Sequence, residues 1–388
     1  MKDHWISNYD WFALKNQLLS NLREFGVDLI GVADARPFTE LRERLNQWHD
    51  NGWASGFEER DVDLRTEPNR ALESGSARSI ISIAIAYPSK LLNPPKSELG
   101  AYRGVIARSA WGEDYHTVLR DRLQRIRTWL ISRVPEAEIV SMVDTGVLSD
   151  RAVAERAGIG FSGKNCSIIS PSMGSWLYLG ELVTNLPFEA DIPMLDQCGT
   201  CTKCIDACPT GALVGPGQLN AQTCISLITQ LKGVLDDDQK KHIGNRLYGC
   251  DTCQVVCPYN KGMDWHLHQE LEPDPALAKP LLKPLISMSQ RVFRDQFGRT
   301  AAAWRGNAPI RRNAIIGLGH FRDVTAVPEL TRAMNEDARV EIREAAVWAL
   351  GRIGTDDARD ALVNRLASNL EGTEVVMKAL QQALATLK

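Results

Sequence analysis

The chain has 388 residues, 44% of them apolar and 24% charged, with a formal net charge of -3. That length and composition describe a globular protein of two or three domains, and the slight acidity excludes a globally basic nucleic-acid binder while leaving room for a local basic patch. No apolar stretch is long enough to span a membrane, and the opening Met1-Lys-Asp-His-Trp-Ile lacks the apolar run of a signal peptide, so a soluble, cytoplasmic and reducing setting is expected.

The first ~190 residues read as mixed α/β. Helical periodicity runs from Trp11 to Phe25 and stops at Gly26, and Val27 to Val32 fits a short buried strand. A helix from Phe38 to about Asn51 places Leu41, Leu45 and Trp48 on one side. Ser79 to Tyr87 is the clearest strand, and its near-continuous apolar character predicts that both faces are covered. A helix over His116 to Val134 precedes a strand over Glu138 to Val143, which delivers Asp144-Thr-Gly146 at its carboxyl end. Ligands sit at such ends in α/β sheets. The helix beginning at Asp150 ends in Gly158, Gly160 and Gly163, which suit either a helix cap with a tight turn or close approach to a cofactor. Ser175 to Thr184 returns as a strand.

Eight of the nine cysteines fall between Cys198 and Cys257. They run Cys198-Gly-Thr-Cys201-Thr-Lys-Cys204-Ile-Asp-Ala-Cys208-Pro209, then Cys224, then Cys250-Asp-Thr-Cys253-Gln-Val-Val-Cys257-Pro258. This is the bacterial iron–sulfur spacing, in which the fourth cysteine of a run ligates the other cluster. Two [4Fe-4S] clusters follow, one on Cys198, Cys201, Cys204 and Cys257, the other on Cys208, Cys224, Cys250 and Cys253. Zinc spacing does not contain a run of four with Cys-Pro endings, and disulfides do not suit a reducing compartment. Cys224 stands 26 positions before Cys250, so a segment from Ile225 to Gly249 is inserted between ligands. Cys166 is a buried bystander on this reading.

Prolines mark an extended connector from Pro258 to about Pro284. Beyond it, Ile310-Arg311-Arg-Asn-Ala314 to Gly319 recurs 32 residues later as Ile342-Arg343-Glu-Ala-Ala346 to Gly351, with a degenerate third copy from Glu374. The period resembles HEAT-like helical repeats. Between Arg291 and Arg322 lie seven arginines and one acid, Asp295, interleaved with Phe293, Phe297, Trp304 and Phe321. Such a run suits phosphate contact with aromatic stacking, although Arg311 and Arg343 could instead ladder along the repeat and the phenylalanines could be core.

Val143-Asp144-Thr-Gly, the Asp150-Arg-Ala-Val-Ala-Glu-Arg-Ala-Gly-Ile-Gly-Phe segment, the eight cysteines, Gly244-Asn-Arg-Leu-Tyr-Gly-Cys250-Asp-Thr-Cys and the helical tail together resemble the epoxyqueuosine reductases. Ser55-Gly-Phe and Trp111-Gly-Glu-Asp-Tyr-His116 extend the resemblance over nearly the whole chain. It implies an α+β protein: a cobalamin-binding α/β domain resembling that of reductive dehalogenases (1–190), a ferredoxin-like two-cluster domain (191–285) and a helical repeat that binds tRNA (286–388). It also implies reduction of epoxyqueuosine to queuosine at the tRNA wobble position, electrons passing from an external donor through the clusters to cobalamin, in a monomer.

By the same resemblance Asp144 is the proton donor, with a pKa that should be raised for that task. Cobalamin contacts fall on Arg65, Ala107, Asp144, Asn165, Ile168, Leu179 and Ser226, and tRNA contacts on Lys232, Trp304, Arg305, Arg311 and Arg312. Asp114-Tyr-His116 and Asp264-Trp-His266 lack the glycine of the usual corrinoid signature, which fits a base-off cofactor without a histidine ligand and equally a protein without cobalamin. The competing reading is a dehalogenase-like cobalamin enzyme acting on a small molecule, which would need neither the basic run nor the repeat.

Overall fold

A computed structural model describes residues 4–144, 146–368 and 371–387. Thr145, in the Asp144-Thr-Gly146 turn, lies outside them. The chain folds into two compact units that each draw on several segments. The first takes the chain as far as Ser89, Glu113–Gln222 and Thr252–Glu272; the second takes Lys90–Gly112, Thr223–Asp251 and the chain from Pro273 onward. A consecutive division at 190 and 285 therefore does not follow the units, because the cysteine region is shared out between them.

The first unit is built on a four-stranded sheet of β1 (Leu29–Asp34), β2 (Ser79–Ala86), β3 (Ile139–Met142) and β4 (Leu177–Thr184), in the order β1-β2-β4-β3. Every neighbouring pair is antiparallel. All eight residues of β2 are buried, as its apolar run predicts. Burial, however, does not fix direction, and the strand-end rule for parallel sheets is not what places Asp144.

One face of the sheet packs Ile81, Ile83 and Leu182 against α1 (Trp11–Ser20) and α3 (Tyr115–Ile131). The other packs Ile80, Ala84 and Val183 beneath α4 (Asp150–Arg156). Asp10 caps α1 by accepting from the Ala13 N–H, and the helix ends at Ser20; Leu22–Phe25 forms a separate turn closing on Gly26, so the expected single helix breaks at Asn21. Between α1 and α3 in sequence, α2 (Thr39–Asp50) carries its apolar side as expected. A Cβ on Gly31 of β1 would stand 2.1 Å from the Ala157 carbonyl oxygen, so α4 docks there only against glycine.

The second unit carries α5 (Asp237–Ile243) from the inserted segment, then α6 (Asn307–Phe321), α7 (Val327–Glu336), α8 (Val340–Ile353), α9 (Asp356–Ala367) and α10 (Glu374–Thr386). Arg311 and Arg343 sit at equivalent turns of α6 and α8, and each pairs with an acid beyond the end of the next helix, Asp337 after α7 and Glu371 after α9. These arginines ladder the repeat.

Arg312 is the hub of this unit. Its side chain is 1% exposed, and its guanidinium donates to the carbonyls of Ile228, Leu231 and Gly233 and to Asn313 Oδ1. Asn313 in turn donates to the Thr229 and Leu247 carbonyls, at 2.8 and 2.9 Å. Lys240 of α5 pairs with buried Glu344 of α8. The insertion is thus folded onto α6 and α8 by buried charges and amides. Truncating Arg312 would strand three carbonyls away from water, so Arg312→Ala is expected to destabilise the protein by about 3 kcal/mol. A lower urea midpoint for unfolding of the full chain checks this; a loss below about 0.5 kcal/mol would mean water replaces the guanidinium.

Candidate active site

Asp144 follows β3 and adopts a left-handed backbone, φ +48°, which disfavours any side chain. Its own N–H donates to Asp150 Oδ2 at 2.8 Å, at the first turn of α4. Its carboxylate is 61% exposed. The Tyr115 hydroxyl donates to Asp144 Oδ2 at 2.8 Å, and His116 Nε2 faces the same oxygen at 3.5 Å.

The other ring nitrogen of His116 meets Asp114 Oδ1 at 2.7 Å. Asp114 also caps α3, accepting from the His116 N–H. Tyr115 stacks on Tyr178 of β4, whose ring stacks on Tyr87, so the hydroxyl is aimed by packing as well as by the helix.

Asp114 and Asp144, on either side of the ring, push the His116 pKa up to about 9. The same contact holds Asp144 below the usual carboxylate range: the His116 interaction and the Tyr115 hydrogen bond outweigh burial, which acts upward. The expectation of a raised Asp144 pKa is corrected on this ground. At neutral pH the proton rests on His116 and Asp144 is its counter-ion.

Two further carboxyls stand behind Asp144. Burial and the neighbouring Asp144 charge raise Asp150 to about 6, while burial, then Asp150, drives Glu181 of β4 well above the carboxylate range. Sequence reasoning missed Tyr115, His116, Asp150 and Glu181 as chemical groups. Glu181 did leave a signal in the sequence, a lone acid inside the Ser175–Thr184 strand.

Of the residues expected near cobalamin, Arg65, Asn165, Ile168 and Leu179 lie with Asp144 in the first unit, and Ala107 and Ser226 in the second. Asn165 is 6% exposed and its amide nitrogen has no partner among the described residues, so a donor is available to a ligand. Arg65 is half-buried; burial and the nearby Arg151 charge pull its pKa down. Ile168 and Leu179 belong to the apolar layer beneath α4. An orphaned amide and a cation above an apolar layer fit a large ligand with polar appendages. Gly158, at φ +71°, follows α4, and a Cβ on Gly160 would stand 2.5 Å from the Ile169 carbonyl oxygen, so these two glycines serve the turn. Ala107 lies against Gly249, where a Cβ would stand 2.5 Å from its own.

Cys198, Cys201, Cys204 and Cys257 line one cavity. Lys164 Nζ donates to the Gly199 and Cys201 carbonyls, at 2.6 and 3.1 Å, and holds the turn. Backbone N–H groups of Tyr259 and Asn260 point at the Cys257 sulfur, and those of Leu213, Thr210 and Ala212 at Cys208, whose pKa they lower against the effect of burial. Amides aimed at sulfur stabilise thiolate, the form a cluster binds. Cys208 and Cys253 belong to the first unit, Cys224 and Cys250 to the second. Cys166 is half-buried, with φ +63°, and burial raises its pKa.

The basic run divides. Arg311 and Arg312 are buried and spent on protein partners, so the expectation that they contact tRNA is corrected. Phe293 and Phe297 are core, and Phe321 stacks on Tyr102. Exposed in the second unit are Arg291, Arg294, Arg299, Arg322 and Lys232, with Trp304 at 51%. Trp304 donates to Gln230 Oε1, and Arg305 lies over its ring and donates to the Gln230 carbonyl.

The cysteine framework and the sheet beside it define the class: an oxidoreductase carrying two [4Fe-4S] clusters. Residues 197–260 match the 4Fe-4S double cluster binding domain, 65–145 the family described as epoxyqueuosine reductase QueG, and 300–385 the HEAT repeats. The epoxyqueuosine reductase of Bacillus anthracis is 52% identical over 97% of this chain and 98% of its own, and that of Shewanella oneidensis 31% over 97% of each. Among solved structures, an epoxyqueuosine reductase with a tRNA-Tyr epoxyqueuosine-modified stem loop matches with a TM-score of 0.94 at 51% identity, covering 97% of this chain and 100% of that one. The Bacillus subtilis enzyme, solved with its catalytic aspartate loop swung out of the active site, matches with a TM-score of 0.94 at 50% identity, covering 98% and 100%. The chain belongs to the epoxyqueuosine reductase family.

Two cubanes require about eight iron atoms per chain after anaerobic reconstitution. Cys257→Ala is expected to halve that to about four, read by iron analysis and by loss of one of two low-temperature EPR signals on reduction.

Proposed function

We propose that this chain reduces epoxyqueuosine in tRNA to queuosine, with His116 and Asp144 as the proton source. Both carbon–oxygen bonds of the epoxide break, a carbon–carbon double bond forms, and the oxygen leaves as water, which takes two electrons and two protons. The electrons come from an external donor through the two clusters, ligated by Cys198, Cys201, Cys204 and Cys257 and by Cys208, Cys224, Cys250 and Cys253. Bound cobalamin would supply a strongly reducing cobalt centre. Arg65, Asn165, Ile168 and Leu179 would hold it in the first unit.

The observation that carries the reading is the single exposed carboxylate oxygen addressed at once by a tyrosine hydroxyl and a histidine, in a chain of this family. Water around the pair favours imidazolium and carboxylate. Substrate that excludes water favours the neutral pair, so the first proton shifts to Asp144 and is passed to the oxygen that leaves, and the second is drawn from solvent through the same pair once it is recharged. Asp114 keeps the His116 ring oriented throughout. Lys232, Trp304 and Arg305, with the exposed Arg291, Arg294, Arg299 and Arg322, supply charge and one stacking face for the tRNA.

Asp144→Asn is expected to retain iron and cobalt yet lose turnover by about a hundredfold or more; a native rate would remove Asp144 from the chemistry. Because His116 carries the proton below a pKa of about 9, kcat should fall as pH rises through about 9, and His116→Gln should abolish that limb. Arg294→Glu with Arg299→Glu should weaken tRNA binding and flatten its log–log salt slope by about 1–2. Accumulated epoxyqueuosine in tRNA from cells lacking the protein, measured by nucleoside mass spectrometry, tests the substrate itself.

A further inference from the structure

Proton delivery through Asp144 leaves Asp150 and Glu181 without a task. Glu181 lies at the middle of β4, 1% exposed, between Ser82 on β2 and Met142 on β3. Neither of its carboxyl oxygens has a hydrogen-bond partner among the described residues, and the buried Ser82 hydroxyl has none either. An ionised carboxylate in that position would be costly, so Glu181 is a neutral acid, and the group it faces is Asp150. Asp150 in turn accepts the Asp144 N–H at 2.8 Å. Asp144 is one of four non-glycine residues at positive φ among the described residues, and a left-handed turn of that kind persists only when something outside it holds it.

We propose that Asp150, which accepts the Asp144 N–H, is the positioning residue that latches the Asp144 loop into its productive turn. The inference rests on the proton-donor reading of Asp144. A carboxylate is the stronger acceptor for a backbone N–H, and protonation replaces it with a neutral one. The groups around Asp150 set where that happens. Burial and Asp144 raise its pKa to about 6, while the Asp144 N–H acts downward. Arg65 faces it from the turn Val62–Thr66, Arg151 adjoins it on α4, and Tyr115 and His116 of α3 stand beyond Asp144. The latch is closed above about pH 6 and loosens as pH falls through that value.

The test combines hydrogen exchange with pH–rate profiles of the reconstituted enzyme. Asp150→Ala is expected to speed amide exchange in the 143–149 segment about tenfold without affecting β2, and to lower kcat about tenfold while KM for tRNA changes less than about twofold. Asp150→Asn keeps an acceptor that cannot titrate, so the acid limb of kcat near pH 6 should disappear. Native exchange and native kcat in Asp150→Ala, or an unchanged acid limb in Asp150→Asn, would overturn the latch. If Asp144→Asn stays active while Asp150→Ala still loosens the loop, the proton-donor reading fails and the loop anchor stands.

Discussion

Strand β4 constrains the first unit more than any other element. It has a strand on each side and a helical layer over each face, so everything it displays is delivered into a packed environment. Side chains alternate across a strand, and successive residues of β4 therefore serve opposite layers. Tyr178 points to the α3 side and stacks under Tyr115; Leu179 and Glu181 point to the α4 side. Asp144 receives its hydroxyl and imidazole from one layer and its backbone anchor from the other. The site is made where β3 ends, and its geometry is set by the strand beside it.

In the second unit the same logic runs with charges in place of rings. A helix buried along most of its length has few ways to fix the register of a loop laid across it. Arg312 and Asn313 solve this by spending their donors on backbone carbonyls of the inserted segment, and Lys240 with Glu344 adds a second tie. Buried polar groups contribute little net stability when satisfied but penalise every arrangement that leaves them unsatisfied. The insertion between Cys224 and Cys250 therefore has one low-energy course over α6.

These particulars show what could be read from the chain. The eight cysteines were legible because a cubane imposes its spacing locally, within a few residues of each turn. The repeat was legible because its period is written out along the sequence. Strand direction was not, since an apolar run encodes burial on two faces and nothing about polarity. His116 opens a helix and gains its role only where that helix start meets a loop that follows β3. Arg311 and Arg312 read as surface charges because arginine is seldom buried, and only the folded insertion reveals the carbonyls that draw Arg312 inside. Asp144 was placed by resemblance, and the sign of its pKa shift depended on the histidine that local reasoning passed over.

That reversal bears on how the site works. A carboxylic acid held neutral by an apolar pocket would store its proton permanently. An aspartate paired with an imidazolium stores the same proton one atom away, and releases it to the carboxyl only when water leaves. Tyr115 sharpens this, because its hydroxyl donates to Asp144 Oδ2 and stabilises the anion. On the proposed reading the proton is available at neutral pH but committed only to a bound epoxide. On that reading, exposure of the Asp144 carboxylate, at first sight a poor setting for an acid, would let substrate binding act as the trigger.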